Sequence, residues 1–129
     1  MENKVRYTYI DGDNIGLRIE QSFLNNSEDE LTLINEGVIE IIALITEYLI
    51  NNNQKIIFSG ADGVICKGKN LEDIQVLSMI REKSKNITFS IGSGFSLRDA
   101  YMALRYAKSI NKDVAVRYEY SKFIIIGKQ

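Results

Sequence analysis

The chain has 129 residues and 45% hydrophobic content, enough for one well-cored domain and too few for two ordinary ones. Its 16 Lys and Arg nearly balance 17 Asp and Glu, for a formal net charge of −1; no broad basic surface is offered to long nucleic acid, and an anionic partner should be small and locally held. One cysteine, Cys66, and no histidine exclude disulfide frameworks, Cys/His zinc sites, Ser-His-Asp triads and Cys-His dyads, leaving carboxylates, lysines, hydroxyls and backbone groups for chemistry.

In chain order, Lys4 to Ile10 reads as a β-branched and aromatic strand that Asp11-Gly12-Asp13 ends. Ile15, Ile19 and Phe23 then recur at helical spacing. Ser27 with Glu30 forms a capping box for a second helix reaching about Leu49, whose Leu31, Ile34, Val38, Ile41, Ile45 and Tyr48 make one apolar stripe. Lys55 to Ser59 and Val64 to Lys67 are two short strands around Gly60-Ala61-Asp62-Gly63, a hairpin with Asp62 at its tip. Leu71, Ile74, Leu77 and Ile80 mark a helix, and Ile87 to Ile91 a strand followed by Gly92-Ser93-Gly94. Ser96 with Asp99 caps a last helix through about Ile110, and Val114 to Tyr118 and Lys122 to Ile126 close the chain as two strands. No apolar stretch approaches the roughly 20 residues that span a bilayer, and the N-terminus lacks an apolar signal region. A cytoplasmic protein with no membrane partner is expected.

The order β-α-β-β-α-β, extended by one helix and a C-terminal β-hairpin, predicts an α+β, ferredoxin-like palm formed as a single domain over residues 1–129. A doubly wound parallel sheet conflicts with the four-residue link between the second and third strands, because parallel neighbours need a crossover of a dozen or more residues. In the palm order the first and third strands are adjacent and antiparallel, so Asp11 at the end of one meets Asp62 before the start of the other. Asp-Gly-Asp-Asn and Gly-Ala-Asp-Gly are also ordinary turn sequences, and each alone would be read as such. Their joint placement at neighbouring strand ends gives them weight. Two carboxylates at one edge repel unless a cation sits between them. Oxygen ligands without histidine or thiolate suit Mg²⁺ or Mn²⁺, which take the rest of their shell from water and substrate phosphate. The N–H groups of Asn14, Ile15 and Gly16, opening a helix, can hold an anion such as a triphosphate.

Tyr9-Ile10-Asp11-Gly12-Asp13-Asn14-Ile15-Gly16, Phe58-Ser59-Gly60-Ala61-Asp62-Gly63, Thr88-Phe89-Ser90-Ile91-Gly92, and Ala107-Lys108 with Lys112 resemble, in that order, the GGDEF diguanylate cyclases. Across nearly the whole chain they resemble still more the minimal CRISPR polymerases, stand-alone palm domains of antiviral defence loci. The resemblance implies a GGDEF-like nucleotide cyclase fold in which Asp11 and Asp62 bind metal, supplemented by the Gly12 carbonyl and by Asp13. It further implies that Ser59 and Gly60 lie beside the nucleotide and that Lys108 and Lys112 hold its triphosphate. The polar pair by which diguanylate cyclases read guanine has no clear counterpart between Ile19 and Glu30, and no arginine-based product-inhibition motif precedes the hairpin. The minimal CRISPR polymerase resemblance instead implies ATP as substrate and a cyclic dinucleotide or small cyclic oligonucleotide as product, read by a separate effector protein.

The expected reaction is metal-assisted attack of a ribose hydroxyl on an α-phosphate with loss of pyrophosphate, catalysed by Asp11, Asp62 and Lys108. One domain offers one half-site, so a homodimer is expected. Two rivals remain open at this level. Ile10-Asp11-Gly12-Asp13 also resembles the nucleophile motif of haloacid-dehalogenase-type phosphatases, which want a parallel sheet; a catalytically inactive palm would only bind nucleotide or a partner protein. Cys66 and the tyrosines are expected to be packing residues.

Overall fold

The computed structural model describes residues 4–127. Its elements are β1 (Arg6–Gly12), α1 (Ile15–Leu24), α2 (Glu28–Asn51), β2 (Lys55–Gly60), β3 (Gly63–Gly68), α3 (Asp73–Lys83), β4 (Phe89–Gly94), α4 (Leu97–Ile110), β5 (Ala115–Glu119) and β6 (Lys122–Ile126). The strands form one sheet in the order β2-β3-β1-β4-β5-β6. β1 is antiparallel to both β3 and β4, while β5 runs parallel to β4. The parallel doubly wound alternative is therefore absent, and with it the scaffold of the phosphatase rival. The fold is the mixed α+β palm: a β-α-β-β-α-β core, two added helices rather than the one expected, because α1 and α2 both lie between β1 and β2, and a terminal hairpin.

Strand alternation divides the sheet into two faces. Ile10, Val64 and Ile91 point to the face covered by α2 and α3, where Ile34, Ile41, Ile45, Leu49, Val76, Leu77 and Ile80 complete the main core. Ile45 and Leu49 are fully buried, and burying each such side chain is worth about 2 kcal/mol. The other face carries α4, packed through Ala103 and Ala107 onto Val114 and Val116. α4 can lie this close because β4 presents glycine to it. A Cβ at Gly92 would collide with the backbone of Leu104 and Ala100, and one at Gly94 with the side chain of Asp99.

Several boundaries differ from the sequence reading. β4 takes in Gly92-Ser93-Gly94, which the sequence reading set after the strand's end at Ile91, because α4 demands small residues there and the ladder to β1 continues through them. β1 runs on to Gly12, since Asp11 and Gly12 pair with Ser90 and Phe89 of β4. Phe23, assigned to the inward face of α1, is 68% exposed. The start of α2 keeps half of its capping box: Ser27 Oγ accepts from the Glu30 N–H at 3.2 Å, while the Ser27 N–H donates to Ser22 O instead.

Candidate active site

β1 and the hairpin bring the two predicted acids together through the backbone. Asp11 stands opposite Gly63 in the β1–β3 ladder, and the Gly12 N–H donates to Asp62 O at 2.9 Å. The turn is closed by Ala61 at φ 50, a left-handed conformation that L residues rarely adopt. A Cβ at Gly63 would come within 2.9 Å of Asp11 Oδ1, so the glycine leaves the carboxylate room beside the hairpin. By alternation Asp11 lies on the α4 face.

From that helix Lys108 reaches across to the end of β1. Its Nζ lies 2.7 Å from Gly12 O, 3.1 Å from Asp11 Oδ2 and 3.1 Å from Asp13 Oδ1. Burial pushes the Asp11 carboxyl above the ordinary aspartate range; Lys108 opposes the shift, and the negative charges of Asp62 and Asp13 add to it. Burial also raises the Tyr9 phenol, reinforced by Asp11 and Asp62, so Tyr9 stays protonated.

Asp13 differs in kind from Asp11. Its residue is 4% exposed, and four donors converge on its carboxylate: Thr88 Oγ1 at 2.7 Å, Ser90 Oγ at 2.8 Å, Lys108 Nζ at 3.1 Å and the Asp113 N–H at 2.9 Å. That last donor is presented by two consecutive left-handed residues, Lys112 at φ 56 and Asp113 at φ 49. Arg81 of α3 holds Asp113 in turn, through Nε to the carboxylate at 3.0 Å and Nη2 to the carbonyl at 2.6 Å. Asp13, expected among the metal ligands, is thus engaged by protein donors at both oxygens. The sequence reading gave no role to Thr88, Ser90, Asp113 or Arg81. Thr88 and Ser90 left a trace, since two hydroxyls at strand spacing must share a face.

α1 opens beside these groups. Asn14, at φ 61, makes no side-chain cap to its own helix, and no acid sits in the first turn. Its Oδ1 instead accepts from Lys112 Nζ at 2.7 Å, and the space around Gly16 is open. A cleft of ≈ 630 Å³ runs from here between α1 and α2, lined in part by Ile15, Gly16, Ile19, Thr32, Asn35 and Asp62. Gly60 pairs with Gly63 on the edge facing Asp11. Ser59, expected beside the nucleotide, points the other way: its hydroxyl meets Thr46 of α2 at 3.0 Å.

No cluster of three or more His, Cys, Asp or Glu side chains suited to a metal occurs among the described residues. The oxygens on offer are two carboxylates, Asp11 and Asp62, with the Gly12 carbonyl. That set suits Mg²⁺ or Mn²⁺, which bind through one or two carboxylates plus water and substrate phosphates. The Lys108 ammonium already sits against two of these groups, so the site accepts positive charge.

The mixed sheet with its flanking helices is shared by solved structures of nucleotide cyclase domains. The active GGEEF domain of a diguanylate cyclase from Vibrio cholerae is similar with a TM-score of 0.67 at 16% identity, over 91% of this chain and 84% of that one. The monomeric guanylyl cyclase domain of the RhoGC fusion protein from the aquatic fungus Blastocladiella emersonii gives 0.59 at 9%, over 94% and 84%. The adenylyl cyclase CyaB from P. aeruginosa gives 0.57 at 7%, over 94% and 79%. The model of the minimal CRISPR polymerase domain matches residues 7–118, and the chain belongs to that family. Membership and fold together support activity of the nucleotide cyclase or polymerase type, a nucleotidyltransferase-like chemistry for which a nucleoside triphosphate is the suggested substrate. No curated protein matches the sequence. Among the described residues no helix is long and apolar enough to cross a membrane.

Proposed function

We propose that this chain is a single palm domain that condenses ATP into a cyclic dinucleotide or small cyclic oligonucleotide, releasing pyrophosphate. The observation that carries the reading is the meeting of Asp11, Asp62 and Lys108 at one sheet edge, beside the uncapped start of α1 and the cleft behind it. Asp11 and Asp62, with the Gly12 carbonyl, would hold Mg²⁺ or Mn²⁺, which when bound lowers the pKa of the attacking hydroxyl and stabilises charge at phosphorus. The N–H groups of Ile15 and Gly16 receive phosphate oxygens at the positive end of α1. Lys108 neutralises charge that grows on the departing pyrophosphate, and Lys112, now on Asn14, is within reach of the same anion. The base enters the cleft between α1 and α2, whose walls are apolar apart from Thr32, Asn35, Glu36 and Asp62. Tyr9, kept neutral, is a donor at the edge of the site.

One chain provides one such site, so ring closure requires two chains facing each other, and the working unit we propose is a homodimer. Its setting would be the cytoplasm, its role antiviral (anti-phage) defence, and its product a second messenger read by a separate effector; these rest on family membership. Incubation of the purified protein with Mg²⁺ or Mn²⁺ and each nucleoside triphosphate, with products read by mass spectrometry, tests the reading. A cyclic adenylate from ATP alone is expected. Nucleotide binding without any product would instead make this a catalytically inactive, nucleotide-binding palm.

A further inference from the structure

In the proposed reaction Lys108 neutralises the departing pyrophosphate, yet in the structure its ammonium lies against the groups proposed to hold the metal. Its ammonium group donates to Gly12 O at 2.7 Å and Asp13 Oδ1 at 3.1 Å and forms an ion pair with Asp11 Oδ2 at 3.1 Å. Two of those oxygens, on Asp11 and Gly12, also belong to the proposed metal site, so a divalent ion there would meet the ammonium charge at close range.

We infer that Lys108 is the resident cation of the nucleotide-free site, and that divalent metal and triphosphate enter together, the phosphates drawing the ammonium off Asp11 as the metal replaces it. This rests on the proposed role of Asp11 and Asp62. The surroundings are arranged for such an exchange. Asp13 keeps three donors, Thr88, Ser90 and the Asp113 N–H, when Lys108 leaves. Asp11, by contrast, has Lys108 as its one ion-pair partner among the described residues. Lys108 sits in the last turn of α4 with its side chain 23% exposed, free to extend outward along its four-carbon stem.

Metal and triphosphate should consequently bind with positive coupling, each weak alone. The test measures Mn²⁺ binding to nucleotide-free protein by the electron paramagnetic resonance signal of the free ion. Lys108→Gln should bind Mn²⁺ about tenfold or more tightly than the unaltered chain, because a like charge a few ångströms away is gone. Adding Asp62→Asn to Lys108→Gln should abolish the gain. Lys108→Arg, which keeps the charge, should stay as weak as the parent, a contrast that a merely structural lysine would not produce. Lys108→Met is the second neutral variant should the glutamine protein melt early. Equal Mn²⁺ affinity in the parent and both neutral variants overturns the inference, and so does tighter binding that survives Asp62→Asn. Calorimetry with Mn²⁺ and α,β-methylene-ATP, which cannot release pyrophosphate, separates the two readings. Metal-dependent nucleotide binding lost in Asp62→Asn keeps the metal site even if the exchange fails, and its persistence removes both.

Discussion

Asp11 and Asp13 stand two positions apart in β1 and its exit, yet their environments set them to different tasks. Asp11 is partly buried beside another acid, and its folded pKa is raised. A raised folded pKa means the native state holds the proton more tightly than the unfolded chain, so the stabilisation is present below the unfolded value and lost as pH rises through the folded one. Ionised Asp11 therefore costs stability at neutral pH. Asp11→Asn should melt higher than the parent at pH 7 and lose that advantage on acidification to below the ordinary aspartate pKa, while turnover is lost at every pH; thermal melts across pH check the first part. Asp13→Ala should do the opposite, removing the acceptor for Lys108, Thr88, Ser90 and the Asp113 N–H. Stripping one partner from a buried charged network costs about 3–5 kcal/mol, readable as a fall in urea midpoint. The sequence makes Asp11 and Asp62 legible because a four-residue hairpin and strand adjacency suffice to pair them. It hides the role of Asp13, whose partners Thr88 and Asp113 lie 75 and 100 positions away.

At the scale of elements, the site depends on how closely α4 approaches the sheet. Lys108 reaches β1 because the helix backbone rests on Gly92 with no side chain between them. Gly92→Ala should force α4 outward, costing about 3 kcal/mol in a denaturant titration and loosening the Lys108 contacts along with it. This closeness is also why Gly92-Ser93-Gly94 misleads a local reading. Three small residues signal a loop by propensity, but strand character depends on what packs against it, and here the packing partner is a helix. α2 and the β2–β3 hairpin are legible for the converse reason. The stripe of Ile34, Val38, Ile41 and Ile45 is strictly periodic, and Gly60-Ala61-Asp62-Gly63 has the length of a tight turn. The exposed Phe23 has no such protection: α1 is short, and two turns of periodicity cannot say which apolar residues a neighbour will cover.

For the whole molecule, the fold places the proposed catalytic groups on one end of the sheet and a buried charge network on the other. There Arg6, Asp73, Arg117 and Glu119 link β1, α3 and β5 at 3.6 to 3.8 Å, tying the flanks of the palm so that the Asp11 edge has a fixed base. One edge strand, β2, leaves Ile57 and Phe58 42% and 54% exposed, apolar surface close to the hairpin that carries Asp62. If two half-sites must face each other, light scattering under turnover conditions should give twice the chain mass; a strictly monomeric, active protein would contradict the dimer.

In the proposed function Asp11 and Asp62 act as a pair in nucleotidyl transfer. Pyrophosphate release from ATP with Mg²⁺ or Mn²⁺, compared between the parent and Asp62→Asn, tests it most directly. Removal of one electrostatic group from such a site is expected to lower the rate by about a hundredfold or more, with folding intact by circular dichroism. An Asp62→Asn protein that releases pyrophosphate at the parent rate would contradict it.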